Sequence, residues 1–178
     1  MPLIKYGHCD FGENKVQEAQ KKWPKLKELN KDLKLHMLGR LQTNKVKNAV
    51  EIFDYIHSLD SLKLANKISN EIHKKSKKIK IFIQINLGDE KQKNGIEPSD
   101  LENFYNNCKT LKLDIIGTMG IPPESQNPKH FFKDLLQLNR RINLPEISMG
   151  MTNDYLDALE YKATFLRIGT GIFGKRTN

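Results

Sequence analysis

The amino-acid sequence predicts an α/β protein with one parallel sheet, either a closed (β/α) barrel or an open doubly wound sheet. Short stretches rich in β-branched and aromatic residues alternate with helix-like stretches throughout the 178 residues. Such alternation is typical of parallel strands joined by helices. No linker or shift in composition divides the chain, which indicates a single domain over residues 1–178. A Rossmann-type sheet would have a Gly-x-Gly-x-x-Gly turn after its first strand, and the sequence has none there.

Seven stretches have the composition of strands, and each except the last leads into a helix. IKIFIQINLG at 79–88 is the clearest of them, because it is almost entirely β-branched or aromatic up to its end. The predicted strands are 7–14, 33–41, 55–60, 79–88, 113–121, 145–151 and 163–173. A closed barrel has eight strands and usually at least about 200 residues, so the chain is one unit short on both counts.

Apolar residues at helical spacing mark the segments between these strands. Val16, Ala19 and Trp23 share one face of the first such segment, as expected for a helix packed on a sheet. The predicted helices are 14–23, 42–53, 61–75, 98–109, 128–142 and a short one from a cap at Thr152 or Asn153 to Leu159. Each helix would carry the chain back across the sheet to begin the next parallel strand.

Composition excludes some classes of protein and weakens others. The sequence has no apolar run near the roughly 20 residues of a membrane span and no recognisable signal peptide at its start. Cys9 and Cys108 are far apart, so we expect reduced thiols in a cytoplasmic protein rather than a zinc site. The net charge of +9 is compatible with nucleic-acid binding, but only five of the 30 basic residues are Arg. We therefore expect no specific nucleic-acid partner.

The ends of the last two predicted strands carry the pattern of an anion site. In barrels, the loops after the last two strands often bind phosphate, and glycines with small hydroxyl residues expose amide N–H donors. Ser148, Gly150, Gly169 and Thr170 lie at these ends and are the predicted phosphate ligands. The alternative is that these glycines only terminate strands.

Three further residues are candidates for the same pocket. Arg167 is two residues before Gly169 and therefore faces the same side of its strand, where it would form an internal ion pair or face a ligand ring. Asn14 either lines the pocket or caps the following helix. His36 is either a pocket residue or a packed, hydrogen-bonded histidine, and the same alternative applies to His57. We find no Ser/His/Asp spacing, carboxylate pair or metal-ligand cluster.

Seven ordered blocks of the sequence resemble the pyridoxal phosphate homeostasis protein family, whose members are similar to the barrel domain of alanine racemase. The blocks are FGENKVQEA, LHMLGRLQTNKV, IHSLDSLKLA, QINLGDEKQKNG, GTMGIPP, LPEISMGMTNDY and RIGTGIFGKR. The resemblance implies a TIM-type (β/α)8 barrel that binds pyridoxal 5′-phosphate (PLP), has no catalytic activity of its own, and buffers or delivers this form of vitamin B6 to other proteins.

The resemblance also implies roles for the candidate residues. Ser148, Gly150, Gly169 and Thr170 would hold the phosphate, and Arg167 would face the pyridine nitrogen, where a cation disfavours protonation of the ring. Asn14 and His36 would line the pocket nearby. This placement agrees with the anion site inferred from the strand ends.

The chain departs from the family at the position of the Schiff-base lysine. That lysine lies on the family's first strand, which would precede residue 1 here, so the domain is expected to be N-terminally incomplete, with seven of the eight strands present. Neither Lys5 nor Lys93 matches its position. We therefore expect non-covalent PLP binding, and we expect the first and last strands to be unpaired edges.

Two other functions stay open at this point. One is a PLP-dependent amino-acid racemase, but racemases of this fold add a C-terminal β-domain, and this chain ends directly after its last predicted strand. The other is a basic nucleic-acid-binding module, which would bind with a steep dependence on salt. The preferred hypothesis is a monomeric, cytoplasmic, non-catalytic PLP-binding protein.

Overall fold

Seven short parallel strands form one sheet in the computed structural model, which describes residues 2–88 and 94–174. Each strand pairs with the next one along the chain, so the spatial order is the sequence order. The strands are β1 (Asp10–Glu13), β2 (Lys34–Met37), β3 (Tyr55–Leu59), β4 (Lys80–Gln84), β5 (Asp114–Met119), β6 (Glu146–Met151) and β7 (Phe165–Arg167). Lys93 lies outside the described residues.

The sheet curls into a nearly closed barrel. In a flat sheet with about 4.8 Å between strands, β7 would lie far from β2 and β4. Instead, the ring of Phe165 on β7 lies 5.8 Å from that of His36 on β2 and 5.2 Å from that of Phe82 on β4. The sequence left an open doubly wound sheet as an alternative, and this curvature excludes it.

Helices lie between successive strands and supply the crossovers that parallel pairing needs. The crossover helices are α2 (Val16–Leu29), α3 (Val46–Ile52), α4 (Leu62–Lys75), α5 (Leu101–Thr110), α6 (Pro128–Arg141) and α7 (Tyr155–Glu160). A short helix α1 (Pro2–Lys5) precedes β1, and another, α8 (Thr170–Phe173), follows β7. The predicted stripe of Val16, Ala19 and Trp23 on α2 is buried, as expected. Glu13 at the end of β1 accepts a hydrogen bond of 2.7 Å from the Trp23 indole, which ties α2 to the sheet.

The last predicted strand, 163–173, is wrong in its second half. β7 ends at Arg167, and Thr170–Phe173 forms the short helix α8. The carbonyl of Gly169 accepts hydrogen bonds from the amides of Ile172 and Phe173, which closes a helical turn. The apolar composition of this stretch indicated a strand, but the glycines allow the chain to turn instead.

β1 and β7 are the two edge strands, as expected. Within the described residues no ladder joins them. Of the two cysteines, Cys108 is buried in α5, Cys9 is half-buried just before β1, and both are free thiols. No helix in the described ranges is long and apolar enough to span a membrane.

Candidate functional site

Arg167 at the end of β7 is held inside the barrel by two protein acceptors. Its Nη1 donates to the hydroxyl of Ser148 on β6 at 2.7 Å, and its Nη2 donates to the carbonyl of Gly120 at 2.9 Å. Burial lowers the pKa of the Arg167 guanidinium to about 10. The group therefore keeps its charge at neutral pH and places a fixed cation in the interior.

Ser148 continues this contact into a chain of histidines. Its hydroxyl lies 2.8 Å from Nδ1 of His57, and Nε2 of His57 lies 3.0 Å from Nδ1 of His36. The other nitrogen of His36, Nε2, lies 3.0 Å from Oδ1 of Asp10 at the start of β1. Side chains from five strands thus form one continuous line of hydrogen bonds between the Asp10 carboxylate and the Arg167 guanidinium.

Both histidines of this chain are neutral at pH 7. Burial lowers the pKa of His57 well below its ordinary value, and the nearby His36 and Arg167 lower it further. Burial also lowers the pKa of His36, although Asp10 and Asp54 act in the opposite direction. A neutral imidazole donates through one nitrogen and accepts through the other, so each ring can pass a hydrogen bond along the chain.

Aromatic rings form the walls around the two histidines. The ring of His36 stacks on Tyr55 with centroids 4.1 Å apart, and that of His57 stacks on Phe82 at 4.3 Å. Phe165 contacts both histidine rings edgewise or at a tilt. These contacts restrict ring rotation and keep the nitrogens in line with their partners.

A second group of donors lies where β6 and β7 end. The Thr152 hydroxyl accepts hydrogen bonds of 3.2 Å from the Thr170 hydroxyl and from the Gly171 amide. The amides of Gly169 and Thr170 form no hydrogen bond to any described residue, and a Cβ on Gly169 would meet nothing within 4 Å. Exposed amides and hydroxyls without protein partners are suited to the oxygens of a phosphate.

The structure separates the predicted phosphate ligands. Gly169 and Thr170 belong to the outer group with Thr152, whereas Ser148 is fully buried and belongs to the hydrogen-bond chain. Gly150, with φ of +87°, packs against α7, where an added Cβ would lie 2.6 Å from Cβ of Ala158. Gly150 therefore has a packing role against α7, which differs from the alternative that this glycine only terminates a strand.

Of the other two pocket candidates, His36 lies in the interior and Asn14 lies on the surface. His36 is buried and belongs to the line of hydrogen bonds, in which His57 connects it to Ser148 and Arg167. Asn14 is exposed just after β1, and its backbone closely approaches Gly39 at the end of β2. The alternative in which Asn14 caps α2 is wrong, since Lys15 occupies the N-cap position and no side chain caps this helix.

The structure adds Thr152 to the candidates and shows that His57 is a packed, hydrogen-bonded histidine, one of the two alternatives that the sequence left open for it. The sequence predicted Thr152 as a helix cap, but α7 begins at Tyr155 with Asp154 at its N-cap. A signal for its role was available, because Thr152 directly follows the strand that carries Ser148. No signal in the sequence indicated the partner of His57, since Ser148 is 91 residues away. Among the residues described, no group of three His, Cys, Asp or Glu side chains could hold a metal ion.

Residues 1–177 match the family described as alanine racemase, N-terminal domain. The chain is 40% identical over 176 residues to the pyridoxal phosphate homeostasis protein of Aquifex aeolicus, covering 93% of this chain and 76% of that protein. It is 35% identical over 198 residues to the human protein of the same name, covering 99% and 72%. The chain belongs to the pyridoxal phosphate homeostasis protein family. The resemblance predicted from the sequence blocks is confirmed.

Solved structures of this family and of alanine racemase share the fold. PipY of Synechococcus elongatus, solved with PLP bound, superposes with a TM-score of 0.90 at 34% identity, covering 97% of this chain and 85% of PipY. An alanine racemase of Clostridium difficile gives 0.73 at 13% identity, covering 99% and 47%, which shows likeness of fold alone. The predicted barrel of the alanine racemase N-terminal kind, with seven strands in this chain, is confirmed.

Proposed function

We propose that this chain binds PLP and serves vitamin B6 homeostasis without catalysing a reaction of its own. The observation that carries the proposal is the pairing of two amides without a protein partner and two exposed hydroxyls with a half-buried guanidinium at one end of a homeostasis-family barrel. The family's PLP-bound member PipY supports the same ligand. When bound, PLP supplies an aldehyde and an electron-withdrawing pyridine ring.

The proposed contacts follow from the chemistry of each residue. The phosphate binds the exposed donors of Gly169 and Thr170 with the Thr152 hydroxyl, and the fully buried Ser148 contributes indirectly by holding the Arg167 guanidinium. The backbone of Gly150, with φ of +87°, which glycine adopts readily, orients the end of β6 for this contact.

The ring end of the ligand completes the proposed pocket. Arg167 faces the pyridine nitrogen, where its fixed charge disfavours ring protonation. His36 lines the pocket with its ring edge, and Asn14 lines it from the end of β1.

Non-covalent binding is part of this proposal. None of the lysines that the structure describes is buried, so none of them projects into the interior beside Ser148 and Arg167. The relatives are named for homeostasis, which supports a protein that stores PLP or passes it to apoenzymes. A monomeric state in the cytoplasm completes the proposal, and light scattering after gel filtration tests the monomer.

A titration with PLP, followed by its absorbance, tests the function. We expect saturable binding, and pyridoxal, which lacks the phosphate, should bind at least tenfold more weakly. A Thr152→Val/Thr170→Val double variant should lose about 10- to 100-fold in affinity, because hydrogen bonds to charged groups are worth about 1.5–3 kcal/mol. Thr110→Val, on the exposed end of α5, is the matched control and should bind as the wild type does.

Three results would contradict the proposal. Equal affinity for pyridoxal and PLP would remove the phosphate site. Stoichiometric labelling of one lysine after borohydride reduction would replace non-covalent with covalent binding. Racemisation of any amino acid by the PLP-loaded chain would establish the alternative, a racemase-like enzyme.

A further inference from the structure

The hydrogen-bond chain from Asp10 to Arg167 connects the two ends of the sheet. Asp10 is the first residue of β1, and its side chain is 56% exposed, whereas Arg167 is the last residue of β7. All the strands are parallel, so these two charged groups lie at opposite ends. Between them, the hydrogen-bond chain passes through the buried side chains of His36, His57 and Ser148.

Neutral histidines fix the direction of every hydrogen bond in this hydrogen-bond chain. An ionised carboxylate only accepts, so Nε2 of His36 donates to Asp10, and Nδ1 of His36 is an acceptor. Nε2 of His57 must then donate to His36, which leaves Nδ1 of His57 to accept from Ser148. The Ser148 hydroxyl in turn accepts from Arg167. Every donor therefore points towards the Asp10 end.

A second arrangement becomes necessary once His36 is protonated at both nitrogens. Nδ1 of His36 then donates as well, so Nε2 of His57 has to lose its proton and accept. His57 stays neutral by carrying its proton at Nδ1 instead, where it donates to the Ser148 oxygen. That oxygen now accepts from both His57 and Arg167. The proton of the Ser148 hydroxyl loses its acceptor, and the described residues offer it no other.

We propose that the hydrogen-bond chain is a pH-sensitive switch, in which proton uptake by His36 moves the proton of His57 from Nε2 to Nδ1. The switch carries a protonation event at the Asp10 end to the Ser148 hydroxyl, which is one of the two acceptors that hold the Arg167 guanidinium. The inference does not rest on the proposed function, because every group in the switch belongs to the protein and no ligand takes part.

One proton from solvent balances the change. At neutral pH the Ser148 hydroxyl, Nε2 of His57 and Nε2 of His36 each carry one proton. After proton uptake, the Ser148 hydroxyl and Nδ1 of His57 carry one each, and both nitrogens of His36 are protonated. The exposed side chain of Asp10 gives solvent access to the His36 end.

The charges around His36 favour the second proton on its ring. Its charged neighbours on the surrounding elements are Asp10 on β1, Lys27 on α2, Asp54 before β3 and Lys80 on β4, which lies 5.7 Å from the centre of the stacked Tyr55 ring. Lys27 and Asp54 form an ion pair at 2.6 Å and largely offset each other. The Asp10 carboxylate, 3.0 Å from Nε2, therefore stabilises the imidazolium.

The surroundings of His57 keep its ring neutral in both arrangements. The cation of Arg167 and a protonated His36 both oppose a positive charge on it. The apolar rings of Phe82 and Phe165 pack against it, and no carboxylate contacts it within the described residues. His57 therefore changes tautomer rather than charge, which makes it a positioning residue for the Ser148 hydroxyl.

Side-chain 15N NMR of the wild-type protein, titrated from about pH 7.5 to about pH 4.5, tests the switch. At the start, His36 and His57 should both be protonated at Nε2. Below about pH 6.5 His36 should gain its second proton, and the proton of His57 should move to Nδ1 with the same midpoint. The exposed His8 and His130, which lie outside the hydrogen-bond chain, serve as references for unconstrained rings.

Ser148→Ala gives a second readout at the far end of the switch. In the wild-type protein, the second proton on His36 costs the hydrogen bond that Ser148 donates, whereas the variant has no such bond to lose. The pH midpoint of His36 should therefore rise by about 1 unit, which corresponds to one unsatisfied buried group. Ser58→Ala is the matched control, because it removes a similarly buried hydroxyl that has no partner in the described residues, and it should leave the midpoint unchanged.

Several results would overturn the switch. His57 would then keep its proton at Nε2 while His36 titrates, or would already carry it at Nδ1 at neutral pH. A His36 ring that stays singly protonated until the protein unfolds would contradict the switch as well, and so would equal midpoints of His36 in Ser148→Ala and Ser58→Ala. None of these measurements involves PLP, so their outcome leaves the proposed function intact.

Discussion

Replacing Ser148 by Ala tests the hydrogen-bond chain through the stability of the protein. Ser148 is fully buried and is the hydrogen-bond partner of the half-buried Arg167 guanidinium and of Nδ1 of the buried His57. Removing its hydroxyl leaves the His57 nitrogen unsatisfied, whereas Arg167 keeps the Gly120 carbonyl as an acceptor. An unsatisfied buried group costs about 1–3 kcal/mol. We therefore expect the free energy of unfolding to fall by about 1–3 kcal/mol, measured by urea denaturation followed by circular dichroism.

Ser58→Ala is the matched control for this experiment. Ser58 on β3 is 1% exposed, and its hydroxyl has no hydrogen-bond partner in the described part of the chain. The same atom is deleted at the same burial, so only the hydrogen bonds differ. We expect Ser58→Ala to change the free energy of unfolding by less than about 0.5 kcal/mol, or to raise it. Equal losses in Ser58→Ala and Ser148→Ala would refute the reasoning.

Two further predictions concern the backbone and pH. Gly150→Ala should lower the free energy of unfolding by at least about 2 kcal/mol, because φ is +87° and the new Cβ would lie 2.6 Å from Cβ of Ala158. Gly169→Ala is the control, since a Cβ there meets nothing within 4 Å. It should cost less than about 0.5 kcal/mol in the same urea assay. The pKa values of His36 and His57 are lowered in the folded chain, so the unfolded chain binds more protons, and stability should fall as pH drops below about 6.5, by up to about 1.4 kcal/mol per pH unit for each histidine. Urea midpoints that stay constant from pH 7 to 5 would contradict the second prediction.

Much of the fold could be predicted from local patterns. The strand composition around 79–88 and the apolar stripe on α2 depend on side-chain periodicity, which the sequence displays directly. The error at 163–173 has a physical cause, because an apolar run of this length is compatible with either a strand or a helical turn. β7 ends where its pairing with β6 ends, at Arg167 opposite Met151. The length of the strand is therefore set by its neighbour in the sheet, and the local sequence does not show it.

The candidate site could be predicted by position but not by partner. The carboxyl ends of the strands in a parallel barrel share one rim, and this places Gly169 and Thr170 at the same rim as Thr152. Whether Ser148 faces the rim or the interior depends on the curvature of the whole sheet. Thr152 was assigned to a helix cap, because a hydroxyl after a strand and before a helix fits either role.

The sequence by itself determined the order of strands and helices, the parallel sheet and the family, and it predicted the rim at which the proposed site lies. These follow from periodicity and from short ordered motifs, which are local properties. Only the tertiary structure decided that His57, Ser148 and Arg167 form one line of hydrogen bonds with His36 and Asp10, buried at its centre. His57 and Ser148 are 91 residues apart, and they meet because the sheet curls until its two halves face each other. Hydrogen bonds across a barrel depend on this curvature, and no local pattern in the chain encodes which side chains it will bring within 3 Å.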